Sequence, residues 1–95
     1  MKTNNAAAEI TYSTLDSYVS GYLTLQGFIP KLVDQGGKIA FFFIQSDDLL
    51  QAIANYNAGA VVEAARFAFA IKTLKSQIHS MRKNKEDYFA KEKTP

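Results

Sequence analysis

The stretch from about Ala60 to about Lys85 constrains the fold most, because it predicts one long helix. Apolar residues recur along it at spacings of four, three, four and three, which places them on one narrow stripe of an α-helix. Such a stripe is typical of the line along which two helices pack, and we expect it to join two copies of the chain. We call it the seam, and its members are Phe67, Ile71, Leu74, Ile78 and Met81.

A second apolar stripe has the same spacings but lies on another side of the helix, at Ala58, Val62, Ala65 and Phe69. A helix that is apolar on two sides is normally buried between two neighbours. We therefore expect the first half of the long helix to be buried on both sides. The second half should keep one side in water.

The solvent-facing side of the second half of the long helix is basic, although the net charge of the chain is only +2. No Asp or Glu occurs between Ala64 and Lys85, and the cations fall within an arc of about 100° around the helix. Cations near a helix end complement its dipole and aid solubility, which is the interpretation that we favour. The alternative is that they bind phosphate groups or an acidic protein partner. The contacts for that alternative are Lys72, Lys75, Arg82, Lys83 and Lys85.

The start of the chain predicts a flexible tail over residues 1–12, within which residues 9–12 form either a short strand or the lead-in to a helix. Ser13 followed by Asp16 predicts a helix start, and Gly27 predicts its end, so we expect the first helix over about residues 14–26. One side of this helix carries only small residues. They either permit close approach of another backbone or form an exposed polar side. We expect the exposed side for its members, Ser17, Ser20, Gly21 and Thr24.

Residues 28–44 predict a two-stranded antiparallel hairpin, since two runs rich in aromatic and β-branched residues flank Gly36-Gly37. Pro30 places the first strand at a sheet edge. The second strand is apolar on both faces, yet one helical layer covers only one face. We expect either the chain's own helices or a second copy to cover the other, which carries Ala40, Phe42 and Ile44.

Ser46-Asp47-Asp48 predicts the start of a short helix, which Asn57 or Gly59 ends. The predicted fold is therefore α+β, in the order helix, hairpin, short helix, long C-terminal helix (αββαα). We expect one domain over residues 13–85, followed by a helix extension or flexible tail over residues 86–95. A helix that runs to about residue 90 is about 46 Å long, so its end should project beyond the core and rest on a second chain.

The sequence contains no cysteine, which excludes disulfides, cysteine-type zinc fingers and thiol chemistry. No apolar run is long enough for a membrane span, and the start lacks the apolar core of a signal peptide, so we expect a cytoplasmic protein.

Asp47 and Asp48 are explained by capping rather than by metal binding, and His79 sits among cations. No phosphate-binding glycine motif is present. We predict no enzyme, no catalytic or metal residues and no cofactor.

The chain resembles a family of small bacterial and phage-borne proteins that is described only as a domain of unknown function. The resemblance extends over about residues 14–80. It implies the order helix, hairpin, helix, helix and a bacterial, archaeal or mobile-element source, and it implies no activity. The residues that carry it are Tyr18, Tyr22-Leu23, Gly27-Phe28, the glycine hairpin, the aromatic strand, Asp47-Asp48-Leu49, Tyr56-Asn57-Ala58-Gly59, Val62, Phe67, Ala70, Ile71-Lys72 and Leu74-Lys75.

The expected function is a non-catalytic assembly module that forms a homodimer, because the apolar surface exceeds what one copy can bury. The alternative is nucleic-acid binding through phosphate contacts on the basic side of the long helix.

Overall fold

A computed structural model describes residues 10–93 of the chain, with side chains described for residues 10–84. The fold is α+β, as predicted, with an additional short strand before the first helix. Its elements are β1 (Thr11–Thr14), α1 (Ser17–Leu25), β2 (Lys31–Gln35), β3 (Lys38–Ile44), α2 (Asp47–Asn57) and α3 (Ala64–Lys93).

The sheet has three antiparallel strands in the order β1-β3-β2, so the predicted hairpin of β2 and β3 is confirmed and gains β1 on its other edge. In the hairpin turn, Gly36 and Gly37 adopt φ of 63° and 96°, which glycine tolerates without strain. The Gly37 amide donates to the Asp34 carboxylate at 2.9 Å. The aromatic strand β3 is therefore central.

The predicted helix start at Ser13 is wrong, because Ser13 lies in β1 and pairs with Phe42 of β3. The same strand includes Thr11 and Tyr12, so of the two alternatives for residues 9–12 within the predicted tail, the short strand is the one that forms. Helix α1 begins at Ser17, and Asp16 is its N-cap, accepting hydrogen bonds from the amides of Tyr18 at 2.8 Å and Val19 at 3.4 Å. A carboxylate at this position satisfies amides that have no partner within the helix.

Glycines end both shorter helices in the same way. After α1, the Gly27 amide donates to the Thr24 carbonyl and the Phe28 amide to the Leu23 carbonyl, both at 3.0 Å. This is the Schellman arrangement, which requires a left-handed residue, and φ of Gly27 is 98°. Gly59 ends α2 by the equivalent bonds, and α3 then begins at Ala64 rather than at about residue 60.

The start of α2 agrees with the prediction, since the Ser46 hydroxyl accepts a hydrogen bond from the Leu49 amide at 3.1 Å. Asp47 and Asp48 occupy its first turn, where they complement the positive end of the helix dipole.

The core lies on one face of the sheet. Phe41 and Phe43 are 0% and 2% exposed and pack with Leu23 and Leu49 beneath the helices. On the opposite face Ala40 is 2% exposed, but Phe42 is only half-buried and Ile44 is 61% exposed. The chain's own helices therefore leave part of this face uncovered.

Helix α3 packs against α1 through Ile71 and Leu74, which are 9% and 3% exposed. It contains 30 residues, which corresponds to a length of about 45 Å. Ile78 is the last described α3 residue that packs on the core cluster, and the helix continues to Lys93.

Candidate functional site

The seam residues face the protein's own core. Ile71 and Leu74 are buried and Leu74 belongs to the core cluster, whereas Phe67 and Ile78 are half-buried against it. Met81 is half-buried but lies beyond the residues that pack on the cluster. Packing within one chain thus accounts for the two most enclosed members of the seam. A role for the seam between two chains stays a prediction.

The second stripe meets water. Ala65 is exposed and Phe69 is 71% exposed, whereas Val62, which lies before the start of α3, is half-buried against the core cluster. This differs from the expected burial on both sides, because α1 packs on the seam side and its last turn borders Phe69 without covering it.

An apolar groove of about 530 Å³ lies beside Phe69. Its walls come from α3, from the last turn of α1 and from the loop that leads into β2. Most of its lining is aliphatic or aromatic, and no described residue that lines it is acidic. We call it the apolar groove, and its lining residues are Thr24, Leu25, Ile29, Pro30, Ala65, Arg66, Phe69, Ala70, Thr73, Leu74 and Gln77.

The end of α1 explains why Ile29 belongs to this groove. The Schellman turn at Gly27 directs Phe28 onto the core cluster, where it is half-buried. The next residue, Ile29, is then left 86% exposed at the surface. Pro30 follows and has no amide to donate. Helical periodicity cannot reveal this residue, because it lies in a loop.

A second concave surface, of about 610 Å³, lies on the other side of α3. It brings together two of the predicted phosphate contacts, Lys75 and Arg82, with a third cation, Lys38 from the start of β3. We call it the basic cleft, and it is lined by Leu15, Ser17, Lys38, Ile39, Lys75, Ile78, His79 and Arg82.

The other predicted phosphate contacts do not line this cleft. Lys72 and Lys83 are exposed on α3 outside it. Lys85 lies outside the residues whose side chains are described. Sequence reasoning missed Lys38 and Ser17, whose only signal was their place beside a turn and a helix start.

Contacts around the basic cleft keep its charge positive. The Lys75 ammonium lies 5.6 Å from the centroid of the Tyr18 ring, within the range of a cation–π interaction. Asp16 stands between the lining residues Leu15 and Ser17 but does not line the cleft, and its carboxylate caps α1. None of the described residues that line the cleft is Asp or Glu.

The described residues contain no group of three or more His, Asp or Glu side chains placed to hold a metal ion. None of their helices has the length and hydrophobicity that crossing a membrane requires.

Comparison with known proteins gives a family and no function. Residues 9–80 match the model of a family described as Domain of unknown function (DUF5659), about three quarters of the chain. The matched region includes the sheet, α1, α2 and the part of α3 that lines the apolar groove, and it ends before Arg82. No curated protein and no solved structure matches the chain. The bacterial or mobile-element source implied by the resemblance stays a prediction.

Proposed function

We propose that this chain, which belongs to the family of the domain of unknown function DUF5659, is a non-catalytic module that pairs with a second copy of itself through the apolar groove. The observation that supports this proposal is the exposure of two large apolar side chains at one groove, 71% for Phe69 and 86% for Ile29. Clustered apolar exposure of this kind marks interaction surfaces, whereas single exposed residues are ordinary.

Magnitudes set the expected strength of the dimer. Burying one large apolar side chain contributes about 1.5–3 kcal/mol. In a two-fold dimer Phe69 and Ile29 are each buried twice, a gross contribution of roughly 6–12 kcal/mol. Association itself costs about 4–15 kcal/mol. Micromolar dissociation requires a net gain of about 8 kcal/mol, so these two side chains do not reach it alone. The rest of the apolar lining must supply the difference.

Charges beside the groove favour a second copy as the occupant. Glu63 and Arg66 are exposed, opposite in charge and three residues apart at the start of α3, and Arg66 also lines the groove. A two-fold interface brings each surface against itself. Two antiparallel α3 helices that cross near Ala65 would place Arg66 against Glu63 of the partner subunit, and the small alanine would allow close approach.

Sedimentation equilibrium between about 1 and 200 μM tests the proposal. We expect Phe69→Ser and Ile29→Ser to raise the dimer dissociation constant at least tenfold, because each removes about 1.5–3 kcal/mol of apolar burial per copy. Ile44→Ser is the matched control, since Ile44 is 61% exposed but lies on the sheet. Arg66→Glu should weaken the dimer, and Glu63→Arg added to it should restore pairing. A monomer throughout this range would refute the proposal.

A second candidate function is nucleic-acid binding through the basic side of α3. It is supported by the exposure of Lys72 and Lys83 along the helix that also carries Lys75 and Arg82. Binding of this kind neutralises phosphates and weakens steeply with salt. Fluorescence anisotropy with a labelled duplex at about 50 and 200 mM salt tests it. Binding that survives Lys72→Glu with Lys83→Glu, or no binding at the lower salt, would exclude it.

A further inference from the structure

We infer that the basic cleft binds the phosphate group of a small organic phosphomonoester. This inference concerns the side of α3 away from the apolar groove and does not depend on dimerisation. It rests on the convergence of cations from separate elements, on the apolar floor between them and on the volume of the cleft.

The cations come from two parts of the fold. Lys75 and Arg82 are seven residues apart with His79 between them, so one side of α3 presents all three. Lys38 comes from the first position of β3, immediately after the hairpin turn. The sheet and the helix thus both contribute cations to the same cleft.

The charge balance favours a dianion. Lys38, Lys75 and Arg82 are cationic residues, and none of the described residues that line the cleft with them is acidic. A phosphomonoester carries a charge of about −1.5 to −2 at pH 7 and three acceptor oxygens. A single carboxylate would neutralise only one of the three positive charges. Arginine and lysine are also the residues that bind phosphate most often.

The floor and volume favour an organic group attached to that phosphate. Ile39 is 5% exposed and Ile78 is half-buried, and both line the cleft between the cations. Leu15, 56% exposed, adds apolar surface at its edge. The volume of about 610 Å³ falls in the range of small-molecule sites, about 300–1,000 Å³. Inorganic phosphate alone would leave most of this space and all of this apolar surface unused.

The position of Lys38 separates this proposal from binding of a nucleic-acid polymer. A polymer that tracks α3 would contact Lys72 and Lys83, which lie outside the cleft, and would not require Lys38 from the sheet. A monoester held in the cleft requires Lys38 and Arg82 and is indifferent to Lys72 and Lys83. These two pairs therefore form a matched set of variants with equal changes in net charge.

The test is isothermal titration calorimetry of the full chain with adenosine monophosphate and with phenyl phosphate, beside adenosine and inorganic phosphate. We expect at least one monoester to bind, adenosine not to bind, and inorganic phosphate to bind at least about tenfold more weakly, since it leaves the apolar floor uncovered. Lys38→Gln and Arg82→Gln should each weaken binding about tenfold or more, the effect of one charged hydrogen bond. Lys72→Gln and Lys83→Gln should change it less than about twofold, because surface charges outside the site are screened.

Three outcomes would overturn the inference. The first is no heat of binding with either monoester. The second is an equal loss of binding for Lys72→Gln and Lys38→Gln, which would indicate attraction to the overall positive field. The third is inorganic phosphate binding as tightly as both monoesters, which would remove any role for Ile39 and Ile78. Phe69→Ser should leave monoester binding unchanged, so failure of the dimer and failure of this site are separately visible.

Discussion

Gly21 of α1 lies so close to Ile71 of α3 that a methyl group placed on Gly21 would sit 2.5 Å from Ile71 Cδ1. Gly21 is buried, and its neighbour Ser20 is fully buried. The absence of a side chain at this position is what lets the two helices approach. This contact therefore fixes the position of α3, which carries residues of both candidate sites.

We expect Gly21→Ala to lower the free energy of unfolding by about 1 kcal/mol. Alanine is favoured over glycine in a helix by up to about 1 kcal/mol, but overpacking costs about 1–3 kcal/mol. Urea unfolding followed by circular dichroism measures the difference. Ile71→Val removes the clashing methyl, so the double variant Gly21→Ala with Ile71→Val should lose less than the sum of the two single variants. A Gly21→Ala protein more stable than the wild type would contradict the expected overpacking cost and show that the Ile71 δ-methyl group moves aside easily.

The side of α1 that carries small residues was predicted to be exposed, but Ser20 and Gly21 on it are buried. The Ser20 hydroxyl donates to the Asp16 carbonyl at 2.8 Å, and the Thr24 hydroxyl donates to the Ser20 carbonyl at 2.7 Å. Hydroxyls satisfied within their own helix can be buried without an unpaired polar group. A run of small polar residues is consequently compatible with either environment, and only the neighbouring helix decides.

Local signals succeeded where one residue determines the backbone. The hairpin glycines, the glycine that ends α1 and the Ser46 cap were all predictable from the sequence. Strand β1 was predicted only as one of two alternatives for residues 9–12, because Thr11–Thr14 has little apolar alternation and its pairing with β3 depends on the tertiary fold. The same limit applies to the basic cleft. Periodicity grouped Lys75 with Arg82, but Lys38 joins them only through the fold.

The second prediction compares removal of the observed N-cap of α1, Asp16, with removal of the N-cap predicted from the sequence, Ser13. Asp16→Ala should lower the free energy of unfolding by about 0.5–2 kcal/mol, because it removes the N-cap of α1. Asp16→Asn should retain most of the stability, since asparagine caps about as well as aspartate. Ser13→Ala should change it by less than about 0.5 kcal/mol, as is usual at exposed positions. A larger loss for Ser13→Ala than for Asp16→Ala would place the helix start where the sequence first predicted it.

Two adjacent phenylalanines in β3 test which face of the sheet is buried. Phe43→Ser should cost at least about 3 kcal/mol, because it removes a side chain that is 2% exposed and puts a hydroxyl in the core. Phe42→Ser, on the uncovered face, should cost much less, about 1 kcal/mol. The two variants share the strand and the chemical change and differ in the face of the sheet, so their difference reports burial. Thermal unfolding monitored by circular dichroism measures both, and similar losses would indicate that another surface covers Phe42.

The seam and the second stripe make opposite predictions for a charged substitution on α3. Leu74→Asp buries a carboxylate where the side chain is 3% exposed, and charge burial of this kind is among the changes that cost more than about 4 kcal/mol. We expect this variant to lose its cooperative thermal transition. Phe69→Asp places the same charge at a position that is 71% exposed, so the fold should survive while dimerisation is lost. Circular dichroism reports whether each variant is folded, and sedimentation equilibrium reports whether it is dimeric.

A folded, monomeric Leu74→Asp protein would instead show that the seam joins two chains, because only a residue outside its own core tolerates a charge. In that case the apolar groove would not be the dimer surface, and Phe69→Asp would remain dimeric.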